Sequence, residues 1–405
     1  MRERARLMDG FPPGPGRQVT LANWLTWPFN RWAFQHVREI VPSADIPGDP
    51  AGELALPSNP VDLGALSIES DGGQAPLSLE SVLAETSTDG LVILHDGRIV
   101  FEHYANEMTP GSPHILMSVS KSLLGLLAGA LMARGDLRPD RPVADVIPEV
   151  AGTAYEGATI RHLLDMRAGV AFDEDYLARS GPIVAYRKAT GWFPLAPGEP
   201  PSDLRGFYRT LTGSSGPHGG PVHYVSPNTD LLGWVIERAA GQRYADLMSE
   251  LIWKPLGAVH SAYITVDRLG APRCAGGFCA TVRDLARVGQ LIAQRGSRGS
   301  AQIVPEAWIE DIVACGDPAA WAAGDLAGYL PGVPMRYRSQ WYVRDGKAPV
   351  VFGLGIHGQY LFVDRARGIV IAKVSSQALP IDAERITLTM RAVTRIIEIL
   401  AAPPG

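Results

Sequence analysis

Ser118 and Lys121 stand three residues apart in "ILMSVSKSLLGLLAGALMARG" (115–135), and between them they hold the makings of a nucleophile and its base. Only five of the 37 basic residues are lysines, and Ser118 is the one serine with a lysine at +3. The pair is a weak signal by itself, so its surroundings have to decide. Residues one helical turn apart share a face. A serine at a helix N-terminus also has its backbone N–H pointing outward, where it can stabilise an oxyanion. The apolar turns that follow, "LLGLLAGALMA", would desolvate the lysine. Desolvation disfavours the ammonium and leaves an amine able to take the serine proton. The competing reading has Ser118 as a helix cap and Lys121 as a solvated first-turn side chain. A cation at that end opposes the helix dipole, which counts against this reading.

Ser-x-x-Lys is the first motif of the serine β-lactamases and penicillin-binding proteins, which need a second hydroxyl to relay protons. "VHYVSPNTD" (222–230) offers Tyr224, Ser226 and Asn228 in a loop just before a helix. A third element, Lys-Thr-Gly on a late strand, has no clear counterpart. "VVFGLGIHGQYLFVD" (350–364) stands in its place and carries glycines but no lysine, which argues against a β-lactam or peptide carboxylate as the group bound there. The same stretch spells Gly353-x-Gly355-x-x-Gly358, but a dinucleotide fingerprint needs a helix to follow, and a strand pattern follows instead. G-x-S-x-G, HExxH and CxxC are all missing from the sequence. His218 and His223, in a Gly-rich loop, make a poor metal site. "FDEDY" (172–176) is an acidic aromatic loop, by default a solvated surface and otherwise a place to attract an amine.

These residues need a frame, and 405 residues with 46% hydrophobic and 20% charged side chains are enough for one large domain or two intimate ones. The net charge of −5 is mixed along the chain, so nucleic acid is not an expected partner. No secretory h-region or bilayer-length apolar run is present. Cys274, Cys279 and Cys315 are odd in number and lack metal spacing. They are read as reduced filler in a cytoplasmic protein.

Residues 1–80 are Pro- and Gly-rich and read as an irregular wrap, with a short amphipathic helix at 30–40. "GLVILHDGRIVFEHY" (90–104) is a hairpin turning at Asp96-Gly97. Helical spacing marks 118–135, 159–166, 228–241, 244–253 and 281–296. Strand patterns return at 339–344, 359–364 and 368–376, and a last helix follows. The fold class is therefore α+β, with one antiparallel sheet built from both ends of the chain together with terminal helices. The expected division is 81–117 with 297–405 as the sheet region and 118–296 as a mainly helical region, the catalytic site lying between them.

Six stretches then carry a resemblance: "NRWAFQHVREIVPSA", "LMSVSKSL", "DEDY", "SPNTD", "GGFCATVRDLARVG" and "GIHGQ". Over about residues 20–400 the chain resembles the nylon-oligomer (6-aminohexanoate-dimer) hydrolases, a branch of the penicillin-recognising serine hydrolases with a class C β-lactamase-like fold. The resemblance implies an amidase and carboxylesterase working through an acyl-enzyme without metal or cofactor. It implies Ser118 as nucleophile and Lys121 and Tyr224 as the proton-handling pair. The backbone N–H groups of Ser118 and Ile356 would form the oxyanion hole, and Tyr176, Trp192, Ser226 and His357 would contact substrate. Arg187 and Lys188, in a loop near the pocket, bear on how charged substrate ends are recognised, and "RCAGGF" (273–278) places small residues where a polar substrate contact could otherwise sit. The alternatives are a β-lactamase or D,D-peptidase, an acyltransferase, and a non-catalytic binding protein. The expected partner is a small amide or ester; a membrane is not expected, and a homodimer is left open.

Overall fold

The computed structural model describes residues 6–52, 56–64, 66–69, 75–329 and 332–402. Its centre is a seven-stranded, fully antiparallel sheet. The strands run in the spatial order Met335–Arg338, Trp341–Arg344, Val350–Gly355, Gln359–Asp364, Ile369–Ser375, Thr88–His95, Arg98–Tyr104. The early hairpin closes against the last strand, with Ile93 opposite Ile371 and Leu91 opposite Lys373. The turn between the hairpin strands falls at Asp96-Gly97, both at positive φ, as the Asp-Gly pair predicts.

Alternation along each strand sorts the side chains into two cores. Leu91, Ile93, Phe362 and Ile371 pack under the helices Leu79–Glu85 and Ala383–Ala401. Val92, Leu94, Leu361, Val363, Val370 and Ala372 face the opposite way, into the core shared with the helical region. The helix Val282–Ala293 covers this second face: the ideal Cβ of Gly289 would lie 2.3 Å from Val370. The sequence places it in the mainly helical region 118–296, yet it packs on the sheet.

The helix Val119–Arg134 is buried on every side from Val119 to Leu131, as an all-round apolar helix must be. It ends at Gly135 in the left-handed conformation (φ 81°). Two departures from the sequence reading have local causes. The segment 30–40 forms one turn, Asn30–Ala33, and then a 3-10 turn, Val37–Glu39. There the His36 ring bonds the Trp32 carbonyl, which a continuing helix would need for itself. Residues 185–192, read as a loop, mostly belong to the helix Pro182–Ala189, started by Gly181 at positive φ and Pro182 in its first turn.

A small four-stranded sheet (Ser43–Ile46, Ala262–Thr265, Phe278–Ala280, His114–Ile115) carries the segment leading into Ser118. The N-terminal wrap packs Trp24, Phe34 and Val37 against Ile115, Met117 and Trp192, so it braces the site. No helix among the described residues is long and apolar enough to cross a membrane.

Candidate active site

Ser118 stands at the N-cap position of the Val119–Arg134 helix without a side-chain capping bond, so its hydroxyl is free for the site, and the turn that presents it is tightly pinned. Leu116 N–H donates to the Phe278 carbonyl at 2.8 Å, and Ser120 Oγ donates to the Met117 carbonyl at 2.6 Å. Met117, just before the serine, holds φ 45°, a left-handed conformation uncommon for a residue with a side chain. The strand Val350–Gly355 reaches this turn at Gly355. An ideal Cβ there would sit 2.8 Å from Leu116 O and 2.9 Å from Ser118 N, so only glycine lets the two backbones meet. Ile356 follows directly, and it lines the same two cavities as Ser118.

Lys121 is buried, and its Nζ donates to Ser118 Oγ (2.8 Å), Ser226 Oγ (3.0 Å) and the Ala275 carbonyl (2.8 Å). Burial lowers its pKa to about 7, with Arg273 adding to the effect and Glu174 and Asp230 opposing it. Near neutrality a sizeable share of Lys121 is therefore the free amine.

Tyr224 is also buried and lies under the ammonium position, with Lys121 Nζ 4.8 Å from its ring centre. Burial pushes the phenol well above its ordinary value, and hydrogen bonds with the Ser118 and Tyr342 hydroxyls pull the other way. Its ring stacks on Tyr342 (6.1 Å) and meets Tyr337 edge-on. Asp325 clamps the backbone here, accepting from Tyr224 N–H and pairing with His223.

Ser226 and Asn228, expected in the loop, lie instead in the first turn of the helix Ser226–Ala240. Ser226 donates both its N–H (2.7 Å) and its hydroxyl to Glu174, which also takes the Tyr176 hydroxyl (3.0 Å). Asn228 turns into the core, where Tyr155 donates to it.

Two lobes open from Ser118. A cavity of about 220 Å³ is lined by Tyr224, Tyr342, Leu354, Tyr360 and Ile381, with Asp173 and Asp325 near its rim. A small lobe of about 30 Å³ lies between Trp192, Arg187, Arg273, Ala275, Gly276 and Ile183. Tyr176, Glu174 and Ile356 line both. Trp192 is fixed by its indole N–H bond to Thr265 Oγ1 (3.0 Å) and by edge contact with Trp24.

His357 lines neither lobe but borders the outer groove beside Trp192 and Ile356. At the hairpin tip, with φ 61°, its ring is buried, bonds the Gln377 carbonyl (2.8 Å) and packs edge-on against Phe34. Burial lowers its pKa to about 4, so it is neutral near pH 7. His218 stacks on His162, away from His223, and no metal-capable group of three side chains exists among the described residues.

The Beta-lactamase family model matches residues 79–394. The chain belongs to the Beta-lactamase family. It is accordingly a serine hydrolase with the β-lactamase fold. It is 35% identical over 367 residues to the 6-aminohexanoate-dimer hydrolase of Paenarthrobacter ureafaciens, covering 90% of each chain. A solved Bacillus anthracis structure, provisionally named a 6-aminohexanoate-dimer hydrolase, superposes with TM-score 0.87 at 26% identity, covering 97% of this chain and all of that one. Esterase EstB of Burkholderia gladioli is 28% identical over 156 residues, 38% of each chain.

Several residues of this Beta-lactamase family site went unread in the sequence. Tyr342 meets Tyr224 from a distant strand, and Ala275 contributes only its carbonyl, so no side-chain pattern marks either. Glu174 reads in sequence as part of an acidic loop, and only the fold brings it to Ser226. Arg273 forms a buried pair with Asp230, which also takes the Ala275 N–H (2.7 Å) and so ties down the residue whose carbonyl holds Lys121.

Proposed function

We propose that this chain hydrolyses short carboxylic esters and linear amides of the 6-aminohexanoate-oligomer type through an acyl-enzyme on Ser118. The observation that carries this reading is the 2.8 Å contact from Lys121 Nζ to Ser118 Oγ, made by an amine whose pKa burial lowers to about 7. Tyr224, pushed the other way, stays a neutral phenol and is the proton donor.

Ser118 Oγ attacks the substrate carbonyl and its proton passes to the Lys121 amine. The oxyanion is held by the backbone N–H groups of Ser118 and Ile356. The bond to the leaving oxygen or nitrogen breaks as Tyr224 gives that atom its proton, and the Lys121 ammonium restores the phenol. Water then attacks the acyl-enzyme, Lys121 takes its proton, and Ser118 Oγ leaves protonated. Tyr176 reaches the scissile group from a hydroxyl fixed by Glu174. Esters should turn over faster than amides, whose nitrogen needs the proton before it can depart. We read the location as cytoplasmic from three unpaired cysteines, two of them buried.

The test is parallel kinetics on p-nitrophenyl acetate and the linear 6-aminohexanoate dimer with Ser118→Ala as blank. A fluorophosphonate should label Ser118 alone. Ester turnover beside dimer turnover equal to the blank would leave a carboxylesterase. Full activity in Ser118→Ala would remove the mechanism.

A further inference from the structure

The two lobes flanking Ser118 differ in charge. Tyr224, the proposed donor to the leaving atom, lines the large lobe and not the small one. On the proposed mechanism the leaving group therefore occupies the large lobe, and the acyl group occupies the small lobe. The small lobe holds two arginines. Arg273 has its charge balanced by a buried pair with Asp230, and its Nη1 also meets the Tyr186 hydroxyl, although its buried Nε has no partner among the described residues.

Arg187 is different. It is half-buried, and among the described residues its side chain's one hydrogen bond runs to a neutral acceptor, the Tyr176 carbonyl (2.7 Å). Among the described residues no carboxylate pairs with it. Its neighbour Lys188 shows the contrast, since both Glu199 oxygens hold that ammonium, at 2.6 and 2.8 Å. Glu174 and Asp175 act on Arg187 only through space. Both Glu174 oxygens are occupied by Ser226 and Tyr176, and Asp175 accepts the Leu177 N–H. A guanidinium that is half-desolvated, with donors left over, favours a planar anion.

Arg187 also lines an outer groove of about 180 Å³, together with Tyr176, Trp192 and Ile356, so it stands where the small lobe opens outward. An acyl chain leaving Ser118 along Trp192 would pass it.

We propose that Arg187 makes the small lobe and its outlet a subsite for an acyl chain that ends in a carboxylate, so that the preferred acyl donors are monoesters or monoamides of linear dicarboxylic acids. This rests on the acyl-enzyme reading above and adds the class of acyl group. It also sets a limit on the linear 6-aminohexanoate dimer, whose acyl half ends in an ammonium that Arg187 repels.

The test compares p-nitrophenyl esters of three acyl groups on the wild-type enzyme: adipyl (ending in carboxylate), hexanoyl (neutral) and 6-aminohexanoyl (ending in ammonium). The expected order of kcat/KM is adipyl, then hexanoyl, then 6-aminohexanoyl, with roughly ten-fold or more between first and last, the size of one charge-assisted hydrogen bond. In Arg187→Gln the adipyl-to-hexanoyl ratio should fall towards one, while Arg187→Lys should keep most of it. Equal rates for the three acyl groups, a preference for the ammonium, or an adipyl preference that survives Arg187→Gln would overturn the assignment and leave the hydrolase standing. The wild-type series decides by itself if Arg187→Gln does not fold. If no ester exceeds the Ser118→Ala blank, the acyl-enzyme reading falls and this inference falls with it.

Discussion

Lys121 and Glu174 are joined through one hydroxyl: Ser226 Oγ accepts from Lys121 Nζ at 3.0 Å and donates to a Glu174 carboxylate oxygen. The carboxylate therefore pulls the Lys121 pKa upward from behind an intermediary, while burial dominates and holds it at about 7. Only the free amine can take the Ser118 proton. Ester kcat/KM should accordingly rise with pH through about 7 and then level off. Glu174→Gln removes the raising charge, so its acidic limb should move to lower pH, by a fraction of a unit to about one unit. A pH–rate profile for both enzymes checks this, and a limb that stays put or moves upward contradicts it.

The lysine itself can be tested through both rate and stability. Lys121→Arg should lose about three orders of magnitude or more in kcat, because a guanidinium does not deprotonate. Lys121→Met should also be inactive, but its stability relative to wild type should depend on pH. In the wild type the unfolded chain binds the Lys121 proton more tightly than the folded protein does. The stability this group contributes is full above its unfolded pKa of roughly 10.4 and is lost as pH falls towards about 7. The Met variant lacks that loss, so its stability relative to wild type should be greatest at pH 6–7 and shrink as pH rises to 10. Urea denaturation at both pH values reads the difference.

Gly355→Ala places a methyl group against Leu116 O and Ser118 N. The two backbones must separate and the oxyanion site must widen. A kcat loss of about 10²–10³ is expected, the size of one lost oxyanion donor, with KM affected less. A variant retaining wild-type kcat would show that Gly355 does not set this geometry.

Benzylpenicillin and D-Ala-D-Ala peptides should be poor substrates. The strand facing the large lobe reads Val350-Val351-Phe352-Gly353-Leu354-Gly355, with no cation, and the acidic residues near the cavity are Asp173, Glu174 and Asp325. The carboxylate of such a substrate meets apolar surface and like charge. Spectrophotometric hydrolysis of benzylpenicillin at a kcat/KM matching that of short esters would refute this.

The hairpin at 90–104, the strands 359–364 and 369–375, and the nucleophile helix were legible because each carries its own local signal, a period of two, an Asp-Gly turn or an unbroken apolar run. Ser118, Lys121 and Tyr224 were legible as residue types with fixed spacing and order. What escaped the sequence depends on contacts between distant segments. The two-residue strand His114–Ile115 is a strand only because Phe278–Ala280 lies beside it. That the His357 ring packs edge-on against Phe34 and bonds the Gln377 carbonyl has no local signal in the sequence. Arg187 and Lys188 looked alike in sequence, and only the position of Glu199 separates them.

The strand Thr88–His95 has one neighbour, Arg98–Tyr104, close by in sequence, and the other, Ile369–Ser375, nearly 280 residues later. During synthesis that second edge has no partner until Ile369–Ser375 has emerged. Gly355 likewise reaches the Ser118 turn across more than 230 intervening residues. Such pairings give the sheet a high contact order, and loop closure must be met before they stabilise anything. Catalytic competence is thus a late event in folding, and the exposed Leu91–Leu94 edge is the segment that a chaperone would have to shield until the last strand arrives.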